Sequence, residues 1–233
     1  MFQGYTDETF EFFMAIGFNN NTDFFHSNHD WYLRAVREPS LALAEALAPT
    51  VEQIDSALER RPNRVVSRIN RDIRFSNDKS PYRDYLWLSF RRPKEDRLTS
   101  LGMYCDISCS GSNYGMGYYQ GYKPLMNALR RRILLEPERI LELWLPIYDE
   151  FTLYADIYRR MPIPEEVPEP LRALYPAKSF YFEKSIRDFS LIKSPALADE
   201  IIGGYKRLGP LFRYLQELTP IEDEDNTVLR PEI

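Results

Sequence analysis

The spacing of apolar side chains changes twice along this chain, and those two changes constrain the fold more than any single motif. Up to about residue 60 the apolar period is helical. "TDETFEFFMAIGF" starts at a capping residue, Thr6 or Asp7, and repeats Phe10, Phe13, Met14 and Gly17 on one side. "NNNT" ends that helix and offers a new N-cap at Asn21 or Thr22. A second helix is expected through "DFFHSNHDWYLRAVRE", with Pro39 ending or restarting it, and a third in "SLALAEALAP", stopping at Pro49. From about Val65 the period becomes two. "RVVSRINRDIRF", "YLWLSFRR", "LGMYCDISCS" and "NYGMGYYQ" read as four consecutive strands of an antiparallel meander, with Ser110-Gly111-Ser112 as a hairpin loop.

The helical period returns in "KPLMNALRRRILL" and "PERILELWLPIYDEFTLYADIYRR". Residues 161–176 carry five prolines and are expected to wrap irregularly over the surface; a short strand follows in "KSFYFEKSI". The last helix is expected over about 195–218, interrupted at Gly203, Gly204 and the Gly209-Pro210 pair. Helices, then strands, then helices make an α+β fold: an antiparallel sheet of about four or five strands with helices packed over one face. No repeat or long linker divides the chain, so a single domain over 1–218 is expected, followed by an acidic, flexible tail over 219–233.

The net charge of −5 gives no electrostatic reason to expect a nucleic-acid or membrane partner. The N-terminus lacks a signal-peptide pattern, and no apolar run reaches membrane-spanning length; a cytoplasmic location is expected. Cys105 and Cys109 point the same way on a strand, which disfavours a disulfide and reads as two buried, inert thiols.

The unusual stretch is "INRDIRFSNDKSPYRDYLWLSFRR", residues 69–92, a strand pattern loaded with arginine. Sorted by alternation, 65–75 places Val65, Ser67, Ile69, Arg71, Ile73 and Phe75 on one face, and Val66, Arg68, Asn70, Asp72 and Arg74 on the other. Later strands add Tyr85, Trp87, Tyr104 and Asp106 to the second face, and the turn adds Ser76, Lys79, Ser80 and Tyr82. Guanidinium groups hold phosphate or carboxylate through paired hydrogen bonds, and neighbouring rings can stack a ligand. The expected site therefore has Arg68, Arg71, Arg74 and Lys79 as anion contacts, Asn20 and Asn21 as orienting groups, and Tyr82 and Trp87 as stacking or lid groups. Asp72 would orient an arginine or act as a general base. The competing reading is a solvated sheet face, in which cross-strand pairs such as Arg68 with Asp106 contribute roughly 0.2–1 kcal/mol each.

Other features carry less. His26 and His29 are the only histidines and lack the companions of a metal motif, so no metal is expected. The glycines of "GSNYGMGYYQGYKP" lack the order of a nucleotide-binding loop, no GxSxG is present, and no cofactor is expected. Arg130-Arg131-Arg132 reads as a solvated helix face. The function classes that remain are a binder of, or enzyme on, a phosphate- or carboxylate-bearing small molecule, and a protein-interaction or structural module. Single-stranded nucleic-acid binding is disfavoured by the acidic balance.

The order "GFNNNTDFFHSNHDWYLRAVREP", "INRDIRFSNDKSPYRDYLWLSF", a Gly-rich strand pair and "KSFYFEK" resembles the uncharacterised bacterial and fungal family called domain of unknown function 2461. The specific part is Arg71-Asp72-Ile73-Arg74-Phe75-Ser76 followed by Asp78-Lys79 and Pro81-Tyr82. Phe24 stands where that family usually has Trp. The resemblance implies a single intracellular domain and supplies no catalytic residue.

Overall fold

The first helix, α1 (Asp7–Phe18), is set by two threonines. Thr6 N–H donates to Thr9 Oγ1 at 3.1 Å, and the same hydroxyl donates to Ala35 O at 2.6 Å, so one side chain caps the helix and ties it to its neighbour. Asn21 Oδ1 accepts from Phe24 N–H at 2.8 Å and starts α2 (Thr22–Ser27). After α3 (His29–Tyr32) and a π-helical turn at Leu33–Arg37 comes α4 (Glu38–Ile54). This helix runs through Pro49 instead of stopping there: one lost backbone hydrogen bond is tolerated while Leu43, Leu47, Val51 and Ile54 stay buried on one face.

The computed structural model describes residues 1–74, 77–93, 95–96 and 99–221. Phe75 and Ser76 of the arginine-rich turn lie outside them, as does the expected tail from Glu222 onward. The remaining elements are α5 (Pro62–Val65), β1 (Tyr85–Phe90), β2 (Leu101–Ser108), β3 (Gly111–Tyr118), α6 (Lys123–Leu135) and α7 (Pro137–Trp144). They continue with β4 (Thr152–Ile157), β5 (Ala177–Ile186), α8 (Phe189–Ile192) and α9 (Ala196–Gln216). The fold is α+β, with a five-stranded antiparallel sheet in the order β1-β2-β3-β5-β4. No helix among the described residues is long and apolar enough to cross a membrane.

Several expectations are corrected. Of the strand expected over 65–75, residues 65–74 are described and are not a strand: α5 occupies the start, and only isolated bridges follow, Val66 with Leu88 and Asn70 with Tyr82. The helix expected through 160 ends at Trp144, where Leu145–Ile147 form a 3-10 turn around Pro146 and Thr152–Ile157 become β4. Both faces of β4 are largely exposed, so the alternation of Leu153, Ala155 and Ile157 marks no buried face. The final helix is uninterrupted. At Gly204 a Cβ would lie 2.2 Å from the Tyr114 ring, so the glycine makes room for a buried tyrosine and does not break the helix. Gly111 does need glycine's freedom, with φ +124 at the end of the β2–β3 turn. Cys105 is buried as expected, but Cys109 is exposed because β2 ends at Ser108 and the alternation ends with it.

Two compact units can be distinguished. Unit 1 comprises Met1–Phe90, Met103–Tyr114 and Ser185–Tyr205. There β1 pairs with β2 in regular register, Tyr85 opposite Ser108 and Trp87 opposite Asp106, so Leu86, Leu88, Phe90, Met103, Cys105 and Ile107 face the core. Tyr205 packs edge-on to Phe90 and Tyr114. Unit 2 comprises Arg91–Gly102, Gly115–Lys184 and the chain from Lys206 on. Its core includes Phe182 edge-on to Trp144, and Phe180 edge-on to Tyr118. Arg130 of α6 is buried there, at 4% exposure, which corrects the reading of 130–132 as a solvated face. Its guanidinium donates to Tyr175 O at 3.0 Å, Ala177 O at 2.6 Å and Asn127 Oδ1 at 2.8 Å, stapling the approach to β5.

Candidate functional site

The arginine-rich stretch of unit 1 is an irregular ribbon whose arms, about 66–71 and 81–88, run antiparallel. Four residues separate the two bridges on one arm and six on the other, so the register is not constant. Pro81 has no N–H to donate. A few ladder bonds survive: Ser67 N–H to Trp87 O, Arg71 N–H to Pro81 O and Arg83 N–H to Ile69 O, each 2.8 Å. Cations take carbonyls that a regular ladder would have paired. Arg37 donates to Ser67 O at 3.2 Å, Arg83 to Arg68 O at 3.0 Å and to Asn70 O, and Lys79 to Ile73 O at 3.0 Å. The charge density of this stretch thus has a structural cause: side-chain donors satisfy backbone that the irregular pairing leaves open.

The expected site residues find separate partners within this ribbon. Arg74 holds Asp72 through Nε at 2.9 Å and Nη2 at 2.6 Å, and that hydrogen-bonded pairing lowers the Asp72 carboxyl to about 2. At that value Asp72 is ionised and too weakly basic to suit a general base near neutral pH. Arg71 pairs with Asp78, and its Nε is buried with no acceptor among the described residues. Arg68 is exposed, and its side chain makes no hydrogen bond or ion pair among the described residues. Asn20 meets Tyr82 from far along the chain: its Nδ2 donates to Tyr82 O and its Oδ1 accepts from Tyr82 N–H, both at 2.9 Å. One amide thereby replaces a neighbouring strand. Tyr82 is buried and stacks on Phe25 at 4.2 Å, so its ring belongs to the core; Asn21 is the cap of α2. Trp87 is half-buried beneath the guanidinium of Arg83 at 4.5 Å. Arg83 escaped the sequence reading, although its parity with Tyr85 and Trp87 placed it on the same face.

In unit 2 three arginines do converge. A cavity of about 380 Å³ is lined by Arg132, Glu136, Arg139, Leu143, Pro210, Arg213, Tyr214, Glu217 and Leu218. Pro137 divides α6 from α7, so Arg132 in the last turn of one and Arg139 in the first turn of the other border the same space. Arg132 pairs with Glu136, which also accepts from Tyr214 Oη at 2.9 Å. That hydroxyl, with help from Arg132, holds the Glu136 carboxyl below the usual range, whereas burial and the same carboxylate push the Tyr214 phenol up. Arg139 Nη1 lies 3.0 Å from Glu142 Oε2. Arg213 is exposed, with no side-chain hydrogen bond or ion pair among the described residues. The lining has three guanidiniums and the carboxylates of Glu136 and Glu217, with Glu142 paired to Arg139 beside it, next to an apolar wall of Leu143, Pro210 and Leu218. No single motif could have announced this site, because its cations come from three helical segments.

A family model described as a conserved hypothetical protein (DUF2461) matches residues 8–214. No curated protein matches the chain. The chain belongs to the DUF2461 family.

Proposed function

We propose that this DUF2461 member binds a small molecule carrying a phosphate or carboxylate group, held by Arg132, Arg139 and Arg213 in unit 2. The observation that carries the reading is the cavity of about 380 Å³ that all three arginines help to line. Its size falls within the range of small-molecule sites, and five of its nine lining residues are charged, a composition suited to a polar, anionic guest. Arg213 is the group with donors to spare. Arg132 and Arg139 each spend a nitrogen on a carboxylate and keep others in a five-donor fork. The neighbouring carboxylates favour a ligand that also brings a hydroxyl or amine donor over a bare anion.

The test is calorimetric titration with inorganic phosphate, citrate and a sugar phosphate, repeated on Arg213→Ala and Arg139→Ala. Loss of about one guanidinium–anion contact should weaken binding at least tenfold, or about 1.4 kcal/mol. Unchanged affinity in both variants would remove the cavity from consideration. A second reading keeps the ligand on the ribbon of unit 1, supported by Arg68, exposed and with no side-chain partner among the described residues, and by the exposed Arg74. It predicts that Arg68→Ala and Arg74→Ala weaken the same titration while Arg213→Ala does not.

A further inference from the structure

We infer that two copies of this chain associate edge to edge through β4, in an antiparallel pairing centred on Tyr154 that continues the sheet across a two-fold axis. β4 ends the strand order, and among the described residues no strand or isolated bridge pairs its second edge. Five of its six residues are exposed, which leaves that edge open to another strand. An open edge presents alternate N–H and C=O groups to any extended chain that can pair with them.

The usual protections of an edge are missing. Edge strands are commonly guarded by proline, by lysine or by a bulge. β4 reads Thr-Leu-Tyr-Ala-Asp-Ile and has neither residue. The register shift between Asp156 and Ile157 puts the extra residue, Lys178, in β5, so β4 itself stays regular. The single charge on the strand, Asp156, is already matched by Lys178 Nζ at 3.4 Å.

What selects a second copy as the occupant is self-complementarity. A two-fold axis between adjacent antiparallel strands stands normal to the sheet and keeps each side chain on its own face, so every residue must meet one of the same parity. Centring on Tyr154 sets that residue opposite its own counterpart, with Leu153 opposite Ala155 and Thr152 opposite Asp156. Within the chain Tyr154 lies opposite Tyr181, their rings stacked with centroids 5.0 Å apart and 43% and 38% exposed. The pairing therefore joins two exposed aromatic pairs into one row of four. Counting outwards brings Asp149 of one copy to Arg159 of the other; both are exposed, with no side-chain hydrogen bond or ion pair among the described residues. Centring on Ala155 would offer Arg160 only Glu150, which already holds Lys184 at 2.8 Å and Arg207. Centring on Leu153 would set Glu150 opposite Asp156, two like charges.

The test is sedimentation equilibrium of the full chain from about 1 to about 500 µM, because one strand edge makes a small interface and a dimer of micromolar affinity. A reversible monomer–dimer equilibrium is expected. Tyr154→Lys sets two ammonium groups opposite each other at the axis and should weaken association about tenfold or more. Its melting curve verifies that the variant folds. Asp149→Arg and Arg159→Asp should each weaken the dimer severalfold, and the two together should restore it. A chain that stays monomeric throughout overturns the inference, as does a dimer whose affinity Tyr154→Lys leaves untouched. A double charge-swap variant no tighter than either single one overturns the register centred on Tyr154. Phosphate-free buffer keeps each outcome independent of anion binding at the arginine cavity.

Discussion

The ribbon of unit 1 and the arginine-bearing helices of unit 2 contain the same residue type and employ it differently. In the ribbon, cations donate to carbonyls of the irregular backbone or to a carboxylate a few residues away, and their exposed ends contribute little to stability. In unit 2, Arg130 is buried against two carbonyls and an amide. Arg132, Arg139 and Arg213 instead border one cavity. What separates these roles is the local supply of acceptors. Where the backbone or a nearby Asp provides them, guanidiniums become braces; where rigid helices hold them around a space, donors remain for a guest.

The contrast can be broken most forcefully at Arg130. Arg130→Ala should cost about 3–5 kcal/mol in denaturant unfolding, because two buried carbonyls lose their donor at about 1–3 kcal/mol each and packing is lost with them. Arg130→Lys should recover only part, since one ammonium cannot reproduce the planar fork. A cost below about 1 kcal/mol would show that water replaces the staple.

Next in size is the amide clamp of the ribbon. Asn20→Ala leaves both polar backbone groups of Tyr82 without their partner and should cost about 1–3 kcal/mol. Asn21→Ala removes a helix cap and should cost about 1 kcal/mol. If the order of these two were reversed, the clamp would not be what holds the ribbon to α1.

A smaller effect is expected from Glu136→Gln in unit 2. Removing a negative charge from the arginine cavity should raise phosphate affinity severalfold. It should also bring the Tyr214 phenol down towards its ordinary value, because burial and Glu136 together raise it. Ultraviolet titration of the phenol reads the second effect separately from the first.

The least is expected from Arg74→Ala, which should leave the melting temperature unchanged within error because both partners are exposed. Its signature is pH dependence alone. The Asp72 carboxyl is depressed from 3.8 to about 2, so any stabilisation is present above its unfolded value and disappears as pH falls through that interval. Melting curves of Asp72→Asn and the parent should converge at the acid end and with added salt. A difference that persists in high salt would place Asp72 in a less exposed role.

Much of the architecture was readable from side-chain periodicity. The capping of α1 at Thr6, the alternation of β1 and β2, the strand at β5 and the irregular segment between β4 and β5 all follow from local chemistry. The failures have particular causes. Residues 65–75 alternate like a strand, yet the partner arm changes register between its two bridges, which local sequence cannot reveal. β4 was hidden because its short alternation of Leu153, Ala155 and Ile157 continues a stretch read as helical and buries neither face. Pro49 and Gly204 are ordinarily breakers, but buried packing on either side outweighs the propensity cost of each.

The candidate sites divide similarly. Short-range pairs such as Arg74 with Asp72 were accessible to sequence reasoning, which put both on one face and offered Asp72 as orienting an arginine. Asn20 clamping Tyr82, and Arg132, Arg139 and Arg213 facing one cavity, unite residues distant along the chain.

By itself the order of residues determined the α+β class, the caps of α1 and α2 and the core-facing sides of β1 and β2, because those depend on backbone periodicity and bonds spanning a few residues. Only the tertiary structure decided which arginines are braces and which are open. That outcome depends on where carbonyls and carboxylates from remote segments come to rest, and a guanidinium takes whichever acceptors arrive.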